Sequence, residues 1–139
     1  MLHSTYLGFF DRSTACLSNL DVTRPLDMKL VRTIVEKYGG ILSGDSAHVD
    51  RDRFVLGEGY LRCMDFVQSR PAAAMIAEIA NATGCDILFL ETGSFQSPQE
   101  FLRWFEWSSQ ARAERRQRAQ QSRSAKELTR DRGERPPAR

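Results

Sequence analysis

Asp45, His48, Asp50 and Asp52 form the one acid-plus-histidine cluster in the chain. At alternating spacing along a strand, residues 48, 50 and 52 share a face, and carboxylates beside an imidazole are a donor set for Mg²⁺, Mn²⁺ or Zn²⁺. The neighbours argue against a metal: Arg51 and Arg53 neutralise the acids, and Asp50-Arg51-Asp52 reads as a polar turn whose charges face water. His3, the other histidine, stands alone and is expected to be exposed.

No nucleophile or phosphate motif takes the cluster's place. Gly57-Glu58-Gly59 lacks the third glycine and the strand-to-helix setting of a dinucleotide loop. Glu91-Thr92-Gly93-Ser94 lacks the first glycine of a nucleophile elbow, and Ser97 is better placed as a helix cap. We therefore assign no catalytic residue, no metal and no cofactor, and read the chain as a non-enzymatic binding protein.

Two groups of side chains remain that could recognise a partner. Phe101, Trp104, Phe105 and Trp107 fall within seven residues, and four such rings carry roughly 600–1000 Å² of apolar surface. Phe101, Trp104, Phe105 and Ser108 share one helical face, whereas Trp107 is rotated toward Arg103 and Ala111. The rings either cover an open sheet face or leave Phe101, Trp104 and Trp107 as anchors for a protein partner or a second copy. The second group is cationic: Arg112, Arg115, Arg116 and Arg118, with Arg123 beyond them, could neutralise phosphates. No aromatic residue interleaves with these arginines, so stacking on single strands is not expected.

Charge divides the chain in the same place. Residues 1–111 hold 10 Lys+Arg against 14 Asp+Glu, a net of −4, and residues 112–139 hold 10 against 4, a net of +6. We expect a compact domain over 1–111 and a basic extension over 112–139, helical at first, fraying past about Ser122 and disordered over 133–139. Three well-separated cysteines, Cys16, Cys63 and Cys85, make neither a disulfide framework nor a zinc site. The N-terminal residues lack a basic region followed by a long apolar one, and no apolar run is long enough to span a bilayer. A cytoplasmic protein without a membrane partner is the expectation.

The elements that must position these residues follow from periodicity and caps. Thr5–Phe10 reads as a strand, and residues 14–20 as a weak second strand or a connection. Pro25 opens an amphipathic helix with Leu26, Leu30, Val31, Ile34, Val35 and Tyr38 on one face, stopped by Gly39-Gly40. Ile41–Val49 reads as a strand interrupted by Gly44. Arg53–Val67 is either one strand bulged at Gly57-Glu58-Gly59 or a hairpin with its tip there. Ser69-Arg70-Pro71 starts a second helix that Gly84 ends, Ile87–Leu90 is a strand buried on both faces, and Ser97-Pro98-Gln99-Glu100 is a capping box before the aromatic helix.

This order predicts an α+β, ferredoxin-like split β-α-β fold: an antiparallel sheet, two helices on one face, and a C-terminal helix with a basic tail. Functionally it predicts a protein-interaction module, such as an inhibitor- or immunity-type protein covering a basic active site or a dimeric ligand-binding accessory protein. The alternative is nucleic-acid binding through the arginine-rich tail. A small metal- or carboxylate-dependent enzyme is a third reading, resting on the Asp45–Asp52 cluster alone.

Overall fold

Leu7 marks the middle of the sheet. In the computed structural model, which describes residues 4–13, 20–64 and 67–134, with side chains in the last helix through 126, Leu7 is 0% exposed. Its strand, β1 (Thr5–Phe10), is followed by β2 (Val22–Arg24), α1 (Met28–Lys37), β3 (Ile41–Ser43), β4 (Ser46–Val49), β5 (Asp52–Leu56) and β6 (Leu61–Cys63). Then come α2 (Arg70–Thr83), β7 (Asp86–Phe89), β8 (Ser94–Gln96) and α3 (Pro98–Glu134). Among the described residues this is an α+β fold: one open, antiparallel, eight-stranded sheet with three helices. The strand order is β3-β4-β5-β6-β1-β7-β8, and β2 pairs with the far end of β1 at Phe9 and Phe10. The chain divides into two compact units, Met1–Phe105 and Glu106–Arg139.

Strand alternation sorts the first unit into two faces. Leu7, Phe54, Leu56, Leu61, Ile87 and Phe89 join Val31, Val35, Met75, Ile76 and Ile79 of α1 and α2 in the main core. The other parity supplies a smaller cluster of Tyr6, Phe10 and Leu88, flanked by Tyr60 and Phe95. The start of α3 joins the helix side, not the opposite face: Phe101 and Phe105 belong to the main core, and Phe101 and Trp104 lie 6.1 and 4.8 Å from the Phe89 ring, centroid to centroid. Of the two alternatives read from sequence, cover for the open face is therefore not the role of Phe101, Trp104 and Phe105. Phe89 shares the core-facing parity of Ile87, so rings that pack on it come to the helix side.

Caps set the helix limits. Asp27, not Pro25, opens α1 by accepting from the Leu30 amide at 3.2 Å. Ser69 caps α2 and Gly84 ends it in a left-handed conformation, as the sequence predicts. The capping box forms at α3: the Glu100 amide donates to Ser97 Oγ at 3.1 Å, and the Ser97 amide donates to Glu100 Oε1 at 3.0 Å. That backbone donor holds the Glu100 carboxyl below its ordinary range. Helix α3 continues to Glu134 rather than fraying near Ser122, in keeping with the helix-forming Ala, Arg, Gln and Glu of this stretch. The tail expected to be disordered lies partly in α3 and partly, over 135–139, outside the described residues. Most of the weak second strand expected over residues 14–20 and the lone His3 also lie outside them.

Turns account for the other differences. Residues 41–49 form a hairpin rather than one strand, because Gly44 at φ 60° lets Gly44-Asp45 close β3 onto β4 in two residues. Gly57–Tyr60 connects β5 to β6 as a hairpin, with the Gly57 amide donating to the Tyr60 carbonyl at 2.9 Å. Asp50-Arg51 is the whole of the β4–β5 turn, so Asp52 belongs to β5 and takes the core-facing parity of Phe54.

Asp52 is only 3% exposed. Its carboxylate accepts from the Gln68 amide at 3.1 Å, the Ser69 amide at 2.9 Å and the Ser69 hydroxyl at 2.8 Å. A strand carboxylate thus receives the donors at the start of α2, next to the positive end of that helix. Asp52→Ala leaves these donors buried without an acceptor and is expected to cost about 3 kcal/mol. Ser69→Ala removes only the cap and is expected to cost about 1 kcal/mol. Urea unfolding of the two variants measures both, and equal losses would refute the ranking.

Candidate functional site

The acid–histidine cluster is dispersed by the sheet. Asp45 sits in the β3–β4 turn and Asp50 in the β4–β5 turn, at opposite ends of β4. His48 is exposed and pairs across the ladder with Arg53, while Asp52 points the other way and is occupied by Gln68 and Ser69. Among the described residues no group of three or more His, Cys, Asp or Glu side chains could hold a metal ion. Burial pushes the Cys85 thiol up, with the Thr83 hydrogen bond acting against it, and burial raises Tyr6 against the lowering effect of Arg62.

The aromatic set divides along the helix. Phe101 is 0% exposed, Phe105 2%, and Trp104 is half-buried against the core. Leu102 and Trp107 are exposed, at 38% and 65%. At about 100° per residue, Trp107 shares its side of the helix with Arg103, Gln110 and Glu114, away from the buried rings. Of the three anchors named from sequence, Trp107 alone offers most of its surface to a partner.

The arginines are sorted by the same geometry. Arg112, Arg116, Arg123 and Lys126, with Ala119 between them, follow the 4-3-4-3 spacing of one helical face, and Arg115 lies beside it. Arg118 falls roughly a third of a turn away, toward Trp107. Glu106 and Glu114 lie on the opposite side, where Arg103 and Arg118 also fall, so the stripe itself holds no acid among the described side chains. Arg115, Arg116, Arg123 and Lys126 are exposed and form no ion pair among the described residues. From Arg112 to Lys126 the stripe runs roughly 21 Å along the axis. Lys126 was not among the candidates read from sequence, although its spacing from Arg123 and Ala119 marks it. No helix among the described residues is long and apolar enough to cross a membrane.

Comparison with protein families, with curated proteins and with solved structures finds no match. The site is therefore read from its own geometry.

Trp107→Phe is expected to remove the red-shifted, acrylamide-accessible part of the tryptophan emission and leave the shielded emission of Trp104. Unchanged quenching in that variant would contradict the assignment of Trp107 as the exposed ring.

Proposed function

We propose that this is a non-catalytic binding protein whose working surface is the cationic face of α3 and whose partner is double-stranded nucleic acid. The observation that carries this reading is a one-sided cationic stripe: five cations gathered on one face with no acid among its described side chains, and Glu106 and Glu114 turned away from it. A helix that mixed its charges would neutralise itself through i, i+4 pairs. A one-sided stripe instead supplies a linear array of charges to a phosphate backbone, and phosphate contacts position a protein without reading sequence. With no aromatic residue in the stripe, a duplex is favoured over single strands.

Protein docking through Trp107 is the second reading, favoured by the 65% exposure of that indole. It points to a different protein rather than a second copy. The heptad seam through Trp107 continues as Ala111, Glu114, Arg118, Gln121 and Ala125, and its polar middle offers no apolar strip for self-pairing. We also assign the first unit to the ferredoxin-like split β-α-β arrangement. Its central strands stand in the order β7-β1-β6-β5, with α1 between β1 and β5 in the chain and α2 joining β6 to β7, which supports that topology. Buried thiols at Cys63 and Cys85 suit a reducing, cytoplasmic setting.

Fluorescence anisotropy with a short labelled DNA duplex tests the main reading. Affinity is expected to fall on the order of several hundredfold as salt rises from about 50 to about 200 mM, as for four or five neutralised phosphates. The double variant Arg116→Gln with Arg123→Gln keeps helix propensity and should flatten the log–log salt slope by about 2. Binding that is absent at low salt, or a slope indifferent to both substitutions, would overturn it.

A further inference from the structure

A cleft of about 300 Å³ opens on the helix side of the first unit, where the end of β2 meets the start of α1 and the end of α2. Phe9, Pro25, Leu30 and Ala82 provide its apolar walls, and Arg24 and Asp27 its charges. Its volume is at the bottom of the range of about 300–1,000 Å³ usual for ligand sites, which limits the occupant to a small molecule.

The register explains how Arg24 is held. Phe9 and Arg24 are cross-strand partners, so both side chains project to the same face, and the guanidinium lies 3.8 Å from the Phe9 ring centroid. Arg24 is otherwise without a hydrogen bond or ion pair among the described residues, Asp27 included. The Asp27 carboxylate spends Oδ1 on the Leu30 amide and keeps its other oxygen available. Thr83, the remaining polar lining residue, is satisfied: its hydroxyl donates to the Ile79 carbonyl at 2.7 Å and accepts from the Cys85 amide at 3.2 Å. The backbone here is also fixed, since the Leu26 amide donates to the Gly59 carbonyl at 2.9 Å. At Gly59 a Cβ would come within 2.7 Å of the Pro25 Cα.

The cleft therefore offers one cation held on an aromatic ring, one anion not paired with it, and apolar side chains beside them. A phosphate would face the Asp27 charge, and a purely apolar ligand would leave both charges unmatched. We propose that this cleft binds a small zwitterion of the α-amino-acid class with an apolar side chain. The carboxylate meets Arg24, the ammonium meets Asp27, and the side chain lies against Phe9 and Leu30. This site is independent of the α3 surface.

Isothermal titration of the full chain with L-leucine tests it, alongside 4-methylpentanoate, which lacks the ammonium, and 3-methylbutylamine, which lacks the carboxylate. Leucine is expected to bind, with each analogue weaker by at least about tenfold. Arg24→Gln and Asp27→Asn should each weaken leucine by a similar factor, and Asn retains the helix cap, so Asp27→Asn should unfold at the wild-type temperature. Ala82→Leu, at an exposed helical position, should abolish binding by filling the cleft while leaving the fold intact. No binding of leucine, methionine or phenylalanine at millimolar concentration would overturn the proposal. So would analogues that bind as well as leucine, or leucine binding indifferent to Arg24→Gln, Asp27→Asn and Ala82→Leu.

Discussion

The first strand of this protein lies in the middle of its sheet, and every other part of the first unit must come back to it. Tyr6 and Leu7 pair with Arg62 and Leu61, and Thr5 to Gly8 pair with Phe89 to Asp86, so the two strands that flank the body of β1 arrive late in the chain, and only its far end is met early, by β2. Their loop-closure entropy must be met before the body of β1 is paired on both edges, which is the situation of a sheet dominated by non-local pairing. Two carboxylates, Asp86 at the start of β7 and Glu91 beyond its end, fasten the ends of β1. Glu91 accepts from the Ser4 amide at 2.9 and 2.7 Å, and Asp86 accepts from Arg12 at 2.6 Å and more distantly from the Phe10 amide. Acids that a composition count assigns to an acidic surface thus serve in part to hold strands together.

Asp52 carries the same lesson to the other side of the sheet. It is the one buried carboxylate among the described residues, and the donors at the start of α2 compensate its loss of water. The first unit therefore keeps its polar groups largely for its own architecture, apart from the Arg24–Asp27 cleft. The second unit has the opposite character. Its described side chains are mostly charged or amide-bearing, and Trp107 is its large apolar ring. A segment with so little apolar surface has little to contribute to a core, and its chemistry is directed outward.

How much of this was legible in the sequence depended on whether the signal was local. The start of α2 at Ser69, its end at Gly84 and the Ser97–Glu100 box are local statements, and all three form as read. The three-residue strands β2 and β8 carry too few residues to show a period, and neither was identified. Asp52 looked like a turn residue because a two-residue turn at Asp50-Arg51 is hard to distinguish from a three-residue one. That shift of one position moves the side chain from water to core. The cationic stripe was legible in principle, since 112, 116, 119, 123 and 126 are spaced for one helical face. The cleft was not, because Phe9, Arg24, Leu30 and Ala82 come together only when the sheet and both helices have formed.

The proposed partner surface is the cationic side of α3, not the sheet or the helix-covered core. Hydrogen–deuterium exchange of the full chain, with and without a short DNA duplex at low salt, addresses it most directly. Slowed exchange is expected over 106–134, greatest across 112–126, with unchanged exchange in β1, β5, β6 and β7. Slowed exchange confined to the sheet, or no change along α3 under conditions where the duplex is bound, would contradict it.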